Sequence, residues 1–170
     1  MEGLISYEEI ISEQEESDII AFLDTKPYDD TLMRLTQHYG YKYNYRNPML
    51  TEAEDIPNEL VLVLKNLMRR IRPTNVGGFD QCIVNNYTKG QMISKHIDNV
   101  KLFGNIILSL SLGSPTTMIF KRKNYEDHII ELKPRMLLIM KDECRYDWSH
   151  ELIPLEGNRR ISITFRKSID

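Results

Sequence analysis

His96 and Asp98 stand two residues apart, so on an extended strand an imidazole and a carboxylate leave the same face. A second imidazole, His150, follows much later in Arg145-Tyr146-Asp147-Trp148-Ser149-His150, with strand-like segments filling the interval. Two imidazoles and one carboxylate on one side of an ion leave open positions, the donor set of non-haem Fe(II) oxygenases. His96, Asp98 and His150 are therefore candidate metal ligands. A His-x-Asp pair alone is common and serves equally as hydrogen-bonded core or surface, so the rest of the chain must decide.

Ten residues after His150 begins Arg160-Ile161-Ser162-Ile163-Thr164-Phe165-Arg166, whose two arginines share a face if the run is a strand. An exposed pair on an edge strand is the plain alternative. Cations set among Ile161, Ile163 and Phe165 are costly without an anionic partner, and the planar guanidinium fork suits a carboxylate. An anionic cosubstrate is the reading this run favours.

These residues need a scaffold, and 170 residues suffice for one ordinary core but not two. We expect a single domain over 1–170, with helices and a recognition segment in 1–78 and the catalytic core in 79–168. Hydrophobic residues at 41% and charged residues at 28% describe a globular chain. No apolar run approaches the roughly 20 residues that span a bilayer, and the start lacks the basic residues of a signal peptide. An intracellular monomer, in cytoplasm or nucleus and without a membrane partner, is the expectation; Cys82 and Cys144 then read as free thiols. The net charge of −3 argues against a strongly basic nucleic-acid binder, although a local basic face can act on an acidic molecule. Arg69, Arg70, Arg72 and Lys121-Arg122-Lys123 are candidate patches, or simply solvated faces.

Along the chain, Gly3 to Ile11 suits a first strand, and Ser12-x-x-Glu15 is a capping box for a helix buried through Ile19, Ile20 and Leu23 and ending near Asp24. Tyr39, Tyr41, Tyr43 and Tyr45 alternate, which predicts one aromatic face on an extended segment. That face either packs on a sheet or stacks on a flipped base. Asp55-Ile56-Pro57 predicts a second helix with the acid as cap and proline at its first position, followed by an apolar stripe from Leu60 to Ile71 and a break at Pro73 to Gly78. From Phe79 the period shifts toward two, and seven or eight short strands bounded by turn residues predict a mostly β sandwich or jelly roll. Trp148 and Tyr146 either wall the metal pocket or fill the core. His38 and His128 read as surface or satisfied polar groups, and Arg159 as solvated.

The segments Asn85-x-Tyr87-x-x-Gly90-x-x-Ile93-x-x-His96-x-Asp98, Ile107 to Gly113, Glu143-x-Arg145-Tyr146-x-Trp148-x-His150 and Arg160-x-x-x-Thr164-x-Arg166 occur in that order. With them the chain resembles the AlkB family of Fe(II)- and 2-oxoglutarate-dependent dioxygenases, a resemblance that covers the chain almost from end to end, since Gly3-Leu4-Ile5 and the Tyr39–Tyr43 segment also fit. The resemblance implies a double-stranded β-helix with N-terminal helices packed outside. It implies Fe(II) on His96, Asp98 and His150, with 2-oxoglutarate and O2 at the open positions. Arg160 would pair with the distal carboxylate and Tyr87 donate to it, while Asn85 and Arg166 would hold the end nearest the metal. Tyr41 and Tyr43 would belong to a lid over the nucleotide. The implied reaction oxidises an N-methyl group and releases formaldehyde, succinate and CO2.

One departure bears on substrate: Asn99-Val100-Lys101-Leu102-Phe103 follows Asp98 where DNA-repair members carry acids. That resembles a branch acting on RNA or on other targets, and points to single-stranded nucleic acid with RNA above DNA. A protein hydroxylase or demethylase on the same scaffold and a non-catalytic nucleic-acid-binding module are the competing readings.

Overall fold

The structure, a computed structural model, describes residues 1–72 and 78–169. The expected helix break over 73–77 lies outside them. Six strands form one antiparallel sheet in the order β1 (Leu4–Tyr7), β10 (Leu137–Met140), β7 (Phe103–Gly113), β12 (Arg159–Ser168), β5 (Gln81–Thr88) and β2 (Leu35–Tyr39). Facing it is a second sheet, β6 (Ile93–His96), β11 (Ser149–Leu152), β8 (Thr116–Lys121) and β9 (His128–Leu132), which makes the jelly roll. β3 (Tyr41–Asn44) and β4 (Met49–Glu52) form a separate hairpin. A short helix, α3 (Asp142–Tyr146), precedes β11.

Two helices cover the outer face of the large sheet. Helix α1 (Glu13–Asp24) begins at the predicted capping box, with Ser12 Oγ accepting from Glu15 N and the Glu15 carboxylate accepting from Ser12 N. Helix α2 (Asn58–Ile71) departs from expectation at its start: Pro57 is the N-cap rather than the first helical residue, and no side chain, Asp55 included, caps it. Its amphipathic stripe buries Leu60 and Leu67 completely. Arg70 at its far end donates to Glu15 and to the Ile10 carbonyl, so it ties α2 to the chain entering α1.

The period-2 pattern sorts the core into two layers. Ile161, Ile163 and Phe165 of β12, with Val84, Cys82, Leu108, Leu110 and Leu112, pack under the helices. Met140, Leu138 and Ile107 point the other way and meet Met118, Phe120, Trp148 and Leu152 of the small sheet. Trp148 is therefore core filling, whereas Tyr146 is exposed with the Arg145 guanidinium against its ring.

The chain from 1 to 78 contributes more than outer helices, since β1 pairs with β10 and β2 with β5 in the same large sheet. The aromatic run is not one strand. Gly40 takes φ +73° between β2 and β3, and a Cβ there would lie 1.8 Å from the Asp80 carbonyl oxygen. Tyr39 consequently enters the helix-side core, while the hairpin carries the later tyrosines elsewhere.

Candidate metal centre and cosubstrate pocket

The register of β12 sets one wall of the site. Arg160 lies opposite Tyr87, Ser162 opposite Asn85 and Thr164 opposite Ile83 on β5; on its other side Ser162 meets Ser111 and Thr164 meets Ser109 of β7. All but Ser111 line a cavity of about 360 Å³ between the sheets, together with Arg166, His96, Asp98 and His150. That is room for a small acid and part of a base.

His96 ends β6 and pairs in register with His150 on β11, so the two rings meet with centroids 4.4 Å apart. Asp98 lies just past the strand end, its Oδ1 3.4 Å from His96 Nε2. Ligand atoms of the three residues lie within 4.8 Å of one another. His96 Nδ1 is 2.7 Å from the Ser94 carbonyl oxygen, which can only accept, so Nδ1 carries a proton and Nε2 faces the cavity; burial disfavours the imidazolium, but Asp98 beside Nε2 raises it in the absence of a metal. Burial pushes the His150 imidazolium down to about 4, with His96 adding to the effect, and leaves a neutral nitrogen donor. Burial would raise the Asp98 carboxyl, but Arg166, 3.4 Å from Oδ2, and the two imidazoles hold it well below the usual range.

Arg160 is 1% exposed, and its Nη2 donates to Ser111 Oγ at 2.9 Å. Among the described residues its Nε and Nη1 have no partner, nor does Nη2 of Arg166. Unsatisfied guanidinium nitrogens buried at a cavity wall are the structural signature of an anion site. Arg166 is held by Gln81 through Nε and lies against Phe103, 3.8 Å from its ring centroid. Tyr87 is buried with its ring beside Arg160.

Tyr43 and Tyr45 line the cavity and meet edge to face at 4.8 Å; Tyr41 is not among the lining residues. Of the two tyrosines on this face of β3, only Tyr43 lies along the cavity, with Tyr45 following in the turn beyond the strand. Two arginines that sequence reasoning did not assign also act here. Arg34 lines the cavity, donating to Asn85 Oδ1 at 2.6 Å and to the Tyr45 hydroxyl at 3.2 Å. Arg145, 3% exposed, donates to the carbonyls of Asp98, Asn99, Phe103 and Gly104, and so clamps the loop that carries Asp98. Only the Glu143-x-Arg145 motif hinted at Arg145, and no local signal marked Arg34.

The model of the 2OG-Fe(II) oxygenase superfamily matches residues 10–166. The chain belongs to this superfamily. Its cofactors are accordingly Fe(II), 2-oxoglutarate and O2, it is a dioxygenase, and its relatives make it AlkB-like. It is 33% identical over 158 residues to the tRNA (carboxymethyluridine(34)-5-O)-methyltransferase alkbh8 of Xenopus tropicalis, covering 89% of this chain and 25% of that protein. It is 30% identical over 178 residues to a DNA N6-methyl adenine demethylase of Caenorhabditis elegans, covering 99% of this chain and 60% of that protein. The chain thus spans about a quarter of the first relative and under two thirds of the second. Its fold matches the solved structure of OsALKBH1 with a TM-score of 0.80, at 16% identity and over 97% of this chain and 96% of that one.

The donor set fits the cofactors: three ligand atoms of the right kinds converge, and unpartnered guanidinium nitrogens wait on the same cavity for a dicarboxylate. No helix among the described residues is long and apolar enough to cross a membrane.

Proposed function

We propose that the chain demethylates N-methylated bases in single-stranded nucleic acid, RNA above DNA, releasing formaldehyde, succinate and CO2. The observation that carries this reading is the Tyr43–Tyr45 pair on the wall of the cavity that also holds His96, Asp98 and His150. Crossed rings on the β3–β4 hairpin offer a planar base a stacking partner worth about 1–3 kcal/mol, which helps offset unstacking. The relatives that act on tRNA and on adenine in DNA support the same substrate class.

His96, Asp98 and His150 hold Fe(II), which supplies the oxidising chemistry coupled to decarboxylation of 2-oxoglutarate when both are bound. Arg160 takes the distal carboxylate of the cosubstrate through its free Nε and Nη1, with Tyr87 beside it. Arg166 and Asn85 secure the end nearest the metal. Ser94 keeps His96 in the tautomer that presents Nε2, and Arg145 keeps the Asp98 backbone in place. Met118, Met140, Ile83 and Leu152 give the pocket an apolar lining that limits water.

Formaldehyde release from a panel of methylated single-stranded RNA, DNA and peptide substrates tests the proposal. Tyr43→Ala with Tyr45→Ala should lower oligonucleotide turnover far more than 2-oxoglutarate decarboxylation without substrate. A wild-type rate in that variant, or formaldehyde from the peptide alone, overturns it.

A further inference from the structure

The two chain segments that frame the cavity mouth carry an excess of positive charge. Residues 33–50 and 84–105 contain six of the 22 Lys and Arg (Arg34, Lys42, Arg46, Lys89, Lys95, Lys101) and one of the 25 Asp and Glu, the metal-site Asp98. The remainder then holds 16 basic residues against 24 acidic ones. A net charge of −3 conceals a basic rim at the cavity, on a chain whose remaining residues are acidic in sum.

Pairing sharpens the contrast. The candidate run at 121–123 is largely neutralised where it stands: Lys121 pairs with Glu151 and Asp127, and Arg122 with Glu143 and Asp147. Lys42 pairs with Asp29 on the outer side of the hairpin. Among the described residues Arg46, Lys89, Lys95 and Lys101 form no ion pair, and all four are exposed. Lys95 itself lines the cavity; Arg46 follows the lining residue Tyr45, Lys101 lies two beyond lining Asn99, and Lys89 sits in the turn after Tyr87. These cations hang on a defined ridge, since β6 is the edge strand of the small sheet and Gln91 bonds the Met33 carbonyl across to the segment entering Arg34. Along the same ridge Met33, Met92, Ile97 and Val100 are exposed, with Met33 at 88%. A single strand needs this combination: separated positive charges for phosphates and apolar groups between them for unstacked bases.

We infer that the β5–β6 turn, edge strand β6 and the loop to Lys101, with Arg46 across the mouth, form a phosphate-tracking path that delivers single-stranded nucleic acid to the cavity. The inference rests on the proposed function and names the surface through which that substrate is held. The 121–123 run lies off this path.

Fluorescence anisotropy of a labelled single-stranded oligouridylate, titrated at several salt concentrations, tests it on the intact protein. Four phosphate contacts predict a log–log salt slope near −3, about a 50-fold loss of affinity between 50 and 200 mM salt. Lys89→Ala, Lys95→Ala and Lys101→Ala together should make the slope shallower by about 2, whereas Lys121→Ala with Lys123→Ala should leave it unchanged. If the triple variant keeps the wild-type slope and affinity while wild type releases formaldehyde from methylated oligonucleotide, the path is wrong and the demethylase reading stands. Equal loss in the 121–123 variant also overturns the path. If the slope changes as expected but only peptide releases formaldehyde, the path stands and the demethylase reading falls.

Discussion

The two faces of β12 were built for different ends. Its odd positions, Ile161, Ile163 and Phe165, are apolar, almost fully buried and pressed under the helices. Its even positions, Arg160, Ser162, Thr164 and Arg166, are just as central in the sheet yet are polar and line the cavity, with guanidinium nitrogens left unsatisfied among the described residues. Helices cover one face of this antiparallel sheet and the small sheet covers the other, so polarity on the inner face of β12 cannot be explained by solvent. The odd face stabilises the fold, and the even face gives up stability to hold a ligand.

The largest effect expected from breaking this division is on cosubstrate. Arg160→Ala removes one member of a desolvated charge pair, a loss of about 2–5 kcal/mol that corresponds to roughly a 30- to several-thousand-fold rise in the Michaelis constant for 2-oxoglutarate. The constant for oligonucleotide should move little. Steady-state kinetics with each substrate varied in turn checks this, and equal effects on both would mean that Arg160 is not the anchor.

On the opposite face, Phe165→Ala should cost about 3–5 kcal/mol in unfolding free energy through the cavity it leaves. Phe165→Leu, which keeps most of the volume, should lower stability less and retain the wild-type Michaelis constant for 2-oxoglutarate. Urea unfolding together with kinetics on the leucine variant checks both halves; a large rise in that constant would erase the distinction between the faces.

Ligand should restore what the even face gives up. With Mn(II) present and 2-oxoglutarate at 100 times its Kd, folding should gain about 2.7 kcal/mol, several degrees in Tm. Arg160→Met, which replaces an unpaired buried charge with an apolar chain, should raise the ligand-free Tm and abolish most of the shift. A calorimetric shift as large in the variant as in wild type would place the dicarboxylate elsewhere.

Much of this division was legible in the sequence because it is local. Alternation from Arg160 to Arg166, the His96-x-Asp98 spacing and the Ser12–Glu15 capping box each depend on a few adjacent residues, and each recurs in the structure. What escaped was non-local. Lys121-Arg122-Lys123 reads as basic until Glu143, Asp147 and Glu151 fold against it, and Arg159 reads as solvated until Asp24 of α1 meets it at 2.5 Å. The four alternating tyrosines were divided by a single positive-φ glycine whose need arises from the approach of Asp80. Arg34 and Arg145 bond mainly to oxygens from residues 41 to 51 positions away, a relation that no local pattern encodes.

The smallest effect tests whether the polar side of the sheet tolerates added charge where no ligand compensates it. His38 on β2 lies opposite Ile83, a cavity-lining residue, and is bonded to Thr36 Oγ1 through Nε2. Burial pushes its imidazolium down to about 4, with Lys42, Arg34 and Arg166 adding to the effect and Asp29 opposing it. Because the folded value lies below the unfolded 6.5, the unfolded chain binds more protons between these two values, and stability is lost as pH falls from about 6.5 toward 4. Other charges also change with pH, so the informative quantity is the difference between wild type and His38→Asn, which carries no ionisable group there. Allowing for the partial exposure of the ring, that difference should move by about 1 kcal/mol in favour of the variant between pH 7 and pH 5. Urea unfolding at both pH values measures it, and parallel losses in the two proteins would show that His38 takes up its proton in the folded state at no cost.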